Sequence, residues 1–417
     1  MSLILYAIPL FVLCMLFEAW LSQRRSLGFY RLHDTITSLN IGLISEVFRG
    51  LQKLVTVLIY GAVVEHVGVF SFDVSSPAVW VLAFLLYDFF YYWAHRAGHE
   101  VNLLWAAHVV HHSSEEFNLS TALRQSSTNT LFYWVFYLPM ALLGIPVTVF
   151  AITVLISLVY QYWIHTRLIP KLGWFEKVFN TPSHHRVHHG QNEYCIDKNY
   201  AATLIIWDRL FGTFAEERDA EPVVYGALTP LRSWNPLWAN FKNYLELAGA
   251  LRHLPGWRNK LMHVFAPPGW TPLSGTPSAA PPLRFEPEHF QRFATPSSRW
   301  QLIYAVLACA VTLLMLVHWL SLGGAAPVEQ RAAYGCIIIA SATLTGWIFI
   351  GRRWAVALEA LRAGLVFGAL AAGVWFSTVA AWVQALAGLV CLVSWAVLYQ
   401  LHQETQASSM LAPGAQP

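Results

Sequence analysis

The chain has 417 residues, of which 56% are hydrophobic, 15% aromatic and only 12% charged, and its mean hydropathy is +0.46. These proportions exclude a set of ordinary soluble domains and point to a multispanning membrane protein. The net charge of +3 is small and scattered, which argues against a nucleic-acid partner, and the five cysteines (Cys14, Cys195, Cys309, Cys336, Cys391) show no paired spacing that would announce a disulfide framework.

In chain order, a first span is predicted over about residues 2–21. It is too long for a cleaved signal and has no basic residue before it, so it is expected to stay as an anchor. Arg24 and Arg25 place its C-terminal end in the cytoplasm. A second span is expected near residues 51–70, a turn over 71–77, and a third span over 78–93 that delivers His95 to the cytoplasmic surface. After a polar stretch from Arg96 to Asn129, residues 131–143 and 147–164 read as two spans hinged at Gly144-Ile145-Pro146, which bring His165 back to the same surface.

Residues 214–298 are mixed in character and then proline-rich, as a surface linker would be. Four further apolar segments follow, near 301–320, 333–350, 355–375 and 379–398, and the tail from 403 reads as disordered. The expectation is an all-α, polytopic bundle of about nine spans with a cytoplasmic, histidine-rich metal-binding cap. Its divisions fall at 1–76 (N-terminal spans), 77–216 (histidine-rich core), 217–299 (linker), 300–402 (four C-terminal spans) and 403–417 (tail). The C-terminal spans carry few ionisable residues, among them His318, Glu359 and Arg362. Packing against lipid or self-association is their expected role.

Ten of the 17 histidines lie between His95 and His189. They form three clusters, His95/His99, His108/His111/His112 and His184/His185/His188/His189, with His165 between the second and third. Spacings of i, i+3 and i+4 put the imidazoles of a cluster on one helix face, aimed at a common point. A structural zinc needs four ligands and usually recruits cysteine, whereas here imidazoles are in surplus and Cys195 is the one cysteine nearby. The surplus suggests two metals of the kind that imidazole suits: iron, zinc, copper or nickel. A histidine-rich surface is the bland alternative, and a metal transporter is another. Transport sites recur across spans at midplane, while these clusters gather at one surface.

Two carboxylates accompany the histidines as candidate catalytic residues. Asp88 shares a helix stripe with Tyr92, His95 and His99, and an aspartate within a span needs an interior partner. A ligand histidine is the expected one, since a carboxylate fixes the imidazole tautomer; a tyrosine partner in a purely structural role is the alternative. Glu100 follows His99 at the helix end, where it can ligate, bond a ligand or be solvated. The aromatic runs Tyr87–Trp93 and Tyr160–Trp163 can line an acyl or alkyl slot or form an interfacial belt. Asn118-Leu-Ser120 matches a glycosylation pattern but falls on the cytoplasmic side, which rules it out.

The histidine pattern on a membrane core resembles the fatty acid hydroxylase and sterol desaturase superfamily of non-haem di-iron oxygenases. Longer runs sharpen the likeness toward its alkylglycerol monooxygenase branch: His95-Arg-Ala-Gly-His-Glu100, Asn118-Leu-Ser-Thr-Ala-Leu-Arg-Gln125, Asn180-Thr-Pro-Ser-His-His-Arg-Val-His-His-Gly190 and Tyr194-Cys-Ile-Asp-Lys-Asn-Tyr200. The resemblance implies two irons held by His95, His99, His108, His111, His112, His165, His185, His188 and His189, with His184 as a further ligand and Glu100 as an acidic site residue. It also implies dioxygen as co-substrate, tetrahydrobiopterin as electron donor and an ether lipid drawn from the membrane as substrate. A hydroxylase or desaturase of a fatty acid, sterol or carotenoid would share the same metal core.

Overall fold

In the computed structural model the described residues are 4–270, 272, 285–323, 326–371 and 381–410. They form helices joined by turns and by longer irregular segments, and among them the only strand-like pairings are two isolated bridges, Phe179 with Leu204 and Gly190 with Tyr225. The first three helices are α1 (Ile4–Arg24), α2 (Leu32–Val67) and α3 (Pro77–Glu100). α3 starts with Pro77, whose fixed φ and missing N–H suit a first helical position.

α3 ends at Val101, which is extended (φ −120°, ψ 116°), and α4 (Asn102–His112) begins at the next residue. This one-residue corner folds the second histidine cluster back onto the first. Short helices α5 (Leu119–Ala122) and α6 (Asn129–Phe132) follow, and then a 3-10 segment (Tyr133–Tyr137), α7 (Leu138–Leu143) and α8 (Val147–Trp163). The expected hinge lies between α7 and α8, with Gly144 left-handed at φ 93°. A Cβ there would collide with the Phe70 carbonyl, so glycine is needed on both counts.

The third cluster rides on α9 (Pro182–His188), and α10 (Ile206–Phe211) closes the loop behind it. Residues 217–299, expected as a linker, instead hold two helices, α11 (Pro236–His253) and α12 (Trp257–Phe265). Their surroundings are anchored, since Leu231 and Ala239 share a core with Ile41 of α2 and Val110 of α4. The proline-rich part of that stretch lies largely outside the described residues.

α13 (Arg299–Leu322), α14 (Val328–Phe349), α15 (Arg353–Ala371) and α16 (Ala381–Met410) complete the chain. The C-terminal helices are not a detachable appendage. Leu316, Trp319 and Leu320 of α13 and Tyr334 and Ile338 of α14 share one core with Leu43 and Val47 of α2.

Among the described residues, four helices are long and apolar enough to cross a membrane: Ala7–Arg24, Pro77–Glu100, Arg299–Leu322 and Val328–Phe349. α2 supplies a fifth if Leu32–Gln52 and Val55–Val67, bent by 43°, count as one span. The expectation of nine spans is therefore met only in part. Residues 131–143 are apolar, but they are broken into α-helical and 3-10 pieces rather than one rod. α8 has 17 residues, the short limit for a span. Residues 372–380, which cover the end of the predicted eighth span and the start of the ninth, lie outside the described residues.

Candidate metal centre

Nine of the ten clustered histidines converge into two buried groups. His95, His99, His108, His112 and His188 form one, and His111, His165, His185 and His189 the other. Within each group the nearest ring nitrogens all lie within 4.8 Å of one another. α3 supplies two rings, the corner at Val101 returns three from α4, the end of α8 adds His165, and α9 with its cap adds three more.

Backbone carbonyls set the orientation of the rings. Nδ1 of His95 lies 2.7 Å from the Tyr200 oxygen, Nδ1 of His111 3.1 Å from Arg124, Nδ1 of His165 2.7 Å from Gln161 and Nδ1 of His188 2.9 Å from Lys198. A ring that donates Nδ1–H to a carbonyl keeps a bare lone pair on Nε2, so each such ring turns a metal-ligating atom inward. The Nε2 atoms then crowd together: His95 to His108 is 2.9 Å, His108 to His112 3.1 Å, His111 to His165 3.2 Å, and His165 to His185 3.0 Å. Nε2 of His99 and of His188 are buried without any hydrogen-bond partner. Converging lone pairs repel unless a cation sits among them, so the donor set fits a metal in each group.

The electrostatics agree with this. Burial first, and neighbouring imidazoles second, hold His108, His112, His185, His188 and His189 well below the ordinary histidine range. His111 is pushed down to about 4, chiefly by burial. Neutral imidazole is the form that binds metal.

The other sequence candidates are placed differently. His184 stands outside both groups, with its ring edge-on to Phe214 and its Nδ1 unpartnered. Asp88 is buried as its position in a span requires, but its partner is not a histidine. It accepts the backbone N–H groups of Thr203 (2.8 Å) and Leu204 (3.0 Å) and the indole N–H of Trp207 (3.0 Å). The physical reason is depth: Asp88 shares the face of His95 but lies two turns before it, about 10 Å further along the α3 axis, where that face meets the loop behind α9 rather than the metal groups. Glu100 pairs with Arg96 at 2.9 Å at the half-open end of α3.

Sequence reasoning missed Asp208 and the carbonyl-bearing loop. Asp208 accepts the N–H groups of Tyr200 (2.8 Å) and Ala201 (2.9 Å) and so fixes the carbonyl that orients His95. Asp197 and Asn199 both have φ 56°, a left-handed turn that asparagine and aspartate tolerate. The run Tyr194–Tyr200 was the available signal, but its carbonyl role leaves no mark in residue type.

An apolar cavity of about 340 Å³ ends on the histidines, with His95, His108, His111, His165 and His185 in its wall. Aromatic residues of α3 and the 3-10 segment line it together with Ile8, Phe11, Leu43, Leu313 and Leu316 from α1, α2 and α13.

Comparisons with known proteins follow the same lines. The fatty acid hydroxylase family profile matches residues 80–213, the stretch that holds all ten histidines. Human alkylglycerol monooxygenase is 39% identical over 359 residues, covering 85% of this chain and 80% of its own length. The Xenopus tropicalis protein of the same name is 40% identical over 80% of this chain and 74% of its own, and that of Danio rerio is 46% identical over 64% and 59%. No solved structure matches the chain.

Proposed function

The chain belongs to the fatty acid hydroxylase family, in its alkylglycerol monooxygenase branch, and from that premise we propose that it oxidises alkylglycerols or lyso-ether lipids at the alkyl carbon beside the ether oxygen. The products are a fatty aldehyde and a glycerol derivative. The observation that carries this reading is the junction of cavity and centre: an apolar slot fit for an alkyl chain ends on five of the nine converging histidines. Pockets of this size that take small ligands are largely apolar with a few placed polar groups.

Two iron ions, when held by the two histidine groups, supply the activation of dioxygen needed to attack an unactivated C–H bond. The rest is the work of the chain. Its carbonyl-oriented imidazoles hold the ligand geometry, the slot excludes water, and the cavity walls set which carbon lies at the histidines. A carbon next to an ether oxygen is the easiest C–H target on such a lipid, and its hydroxylation gives a hemiacetal that separates into aldehyde and alcohol. One oxygenation therefore breaks the ether.

Tetrahydrobiopterin as the electron donor and a cytoplasmic position for the histidines belong to the same proposal. The family resemblance supports the pterin. Arg24 and Arg25 at the end of α1, and Arg352 and Arg353 at the start of α15, support the orientation. Glu100, beside His99 and paired with Arg96, is proposed as an acidic residue at the edge of the centre. Asp88 acts through the loop that it holds.

The test uses a 1-O-alkylglycerol with both hydrogens of the first alkyl carbon replaced by deuterium, incubated with enzyme, dioxygen and tetrahydrobiopterin. The expected product is aldehyde that keeps one deuterium. An intact ether hydroxylated further along the chain, or turnover only with a cytochrome or ferredoxin donor, moves the protein to the fatty acid or sterol hydroxylases.

A further inference from the structure

The cavity that ends on the histidines is not uniformly apolar. Two of the groups lining it carry buried polar atoms with no hydrogen-bond partner, the Asn129 side-chain oxygen and the Tyr133 hydroxyl. Asn129 opens α6 and Tyr133 opens the 3-10 segment four residues later, a spacing that puts both on one face. The Tyr133 hydroxyl lies against α3 at Gly98, between His95 and His99, where any Cβ would collide with it. Glu46 and Arg49 of α2 pair at 3.0 Å and also line the wall.

A hydrocarbon tail filling this part of the cavity would leave the Asn129 and Tyr133 groups unsatisfied, and buried polar groups without partners are costly. A ligand portion carrying hydroxyl groups would satisfy them. An asparagine amide offers both a donor and an acceptor, and a tyrosine hydroxyl can be either, so the two together match a vicinal diol next to an ether oxygen. The Glu46–Arg49 pair is neutral as a unit and adds polarity without demanding a charged ligand.

Resting on the lipid-oxygenase reading above, we propose that Asn129 and Tyr133 bind the hydroxyl-bearing glycerol head of the substrate. The Glu46–Arg49 pair supplies a further polar part of the wall. Fixing the head at this point presents the first alkyl carbon, rather than one further along, to the histidines, because Tyr133 stands directly beside the turn that carries His95 and His99. Asn129 and Tyr133 are thus specificity-determining residues, and they set the position of attack.

The experiment compares the full-length protein with Asn129→Leu and Tyr133→Phe. Binding of radiolabelled 1-O-hexadecylglycerol, and of the same lipid with both hydroxyls methylated, is measured on metal-free protein, and turnover of both on metal-loaded protein. The wild type is expected to favour the free diol about five- to a hundredfold, and each variant to lose about two- to tenfold on the diol with little change on the methylated lipid. Metal content and unfolding temperature should match the wild type. Equal weakening of both lipids, no weakening, or a wild type indifferent to methylation overturns the proposal. Selective binding of the diol without its oxidation would instead overturn the functional reading and leave the head site standing. Oxidation of the diol with unaffected variants would do the reverse.

Discussion

Nδ1 of His95 lies 2.7 Å from the carbonyl oxygen of Tyr200, 105 residues further along the chain, and that contact ties ligand orientation to a loop rather than to a neighbouring side chain. The loop is held on one side by Asp208, through the N–H groups of Tyr200 and Ala201, and on the other by Asp88, through those of Thr203 and Leu204. Two buried carboxylates therefore position an imidazole that neither of them touches.

Asp88→Asn should loosen this arrangement. An amide keeps one accepting oxygen but turns an NH₂ group toward a backbone N–H, leaving a buried donor unpaired at a cost of about 1–3 kcal/mol. Metal affinity should fall about 10- to 100-fold, as it does when the groups that orient ligand histidines are removed. Metal content after dialysis against a graded chelator reads this out. Retention equal to the wild type would show that the loop holds its shape without the carboxylate.

The two histidine groups should empty separately. Removing two rings from the five-membered group, as in His108→Ala with His112→Ala, leaves three there and should leave about one metal per chain, held by His111, His165, His185 and His189. His185→Ala should have the converse effect. His184→Ala should retain both metals, since its ring lies against Phe214. Metal analysis of iron-loaded protein decides the matter, and a His184 variant that loses a metal would return that residue to the ligand set.

These relationships differ in how far the sequence discloses them. Spacing of i, i+3 and i+4 made the histidine faces legible, because helical periodicity is written in residue type. The split into groups of five and four was not, because it depends on the corner at Val101, a residue with no turn signature. The fourth predicted span was hard to read for a related reason. Residues 131–143 are apolar in composition, yet Tyr133 to Tyr137 wind as a 3-10 segment that packs its tyrosines around the cavity. The start of α2 was illegible in the opposite sense. Asp34, Thr37, Ser38 and Asn40 depress its hydropathy although all four are buried.

That buried polar stripe gives the next expectation. Arg124 is almost wholly buried, with Nη1 3.7 Å from Asp34 and 3.2 Å from Ser38, while its own carbonyl orients His111. Arg124→Met fills the volume but strands the Asp34 carboxylate, which should cost about 3–5 kcal/mol. Restoring neutrality with Asp34→Asn in the same chain should recover much of that loss. A single variant as stable as the wild type in thermal unfolding would show that solvent reaches Asp34.

The metal-free protein should also weaken as the pH falls. Burial holds His108, His112, His185, His188 and His189 well below the ordinary histidine value of about 6.5. Above that pH neither the folded nor the unfolded chain takes up protons at these sites, and stability is at its full value. Below it the unfolded chain binds protons that the folded chain refuses, so stability drops, by up to about 1.4 kcal/mol per pH unit for each such ring. The unfolding temperature of stripped protein should therefore fall between pH 7 and pH 5.5. A flat profile would mean that the imidazoles protonate in place.

Gly98 offers the sharpest structural test, because two opposing effects meet there. Replacing a helical glycine by alanine ordinarily stabilises by about 1 kcal/mol through the unfolded chain and the helix preference. At Gly98, however, the added methyl would collide with the Tyr133 hydroxyl and come within 3.5 Å of the His108 ring. Removing that hydroxyl relieves the clash, since the next Tyr133 atom, the ring carbon that bears it, stands 3.3 Å away, a separation that a small shift accommodates. Gly98→Ala alone should therefore lower stability and depress turnover by displacing Tyr133 from the cavity. In a Tyr133→Phe background the same change should be neutral or stabilising. The difference between the two backgrounds, read from unfolding temperature and metal retention, isolates the contact between this hydroxyl and the α3 backbone. Equal effects in both backgrounds would mean that the hydroxyl points elsewhere, and would remove Tyr133 from the wall beside His95 and His99.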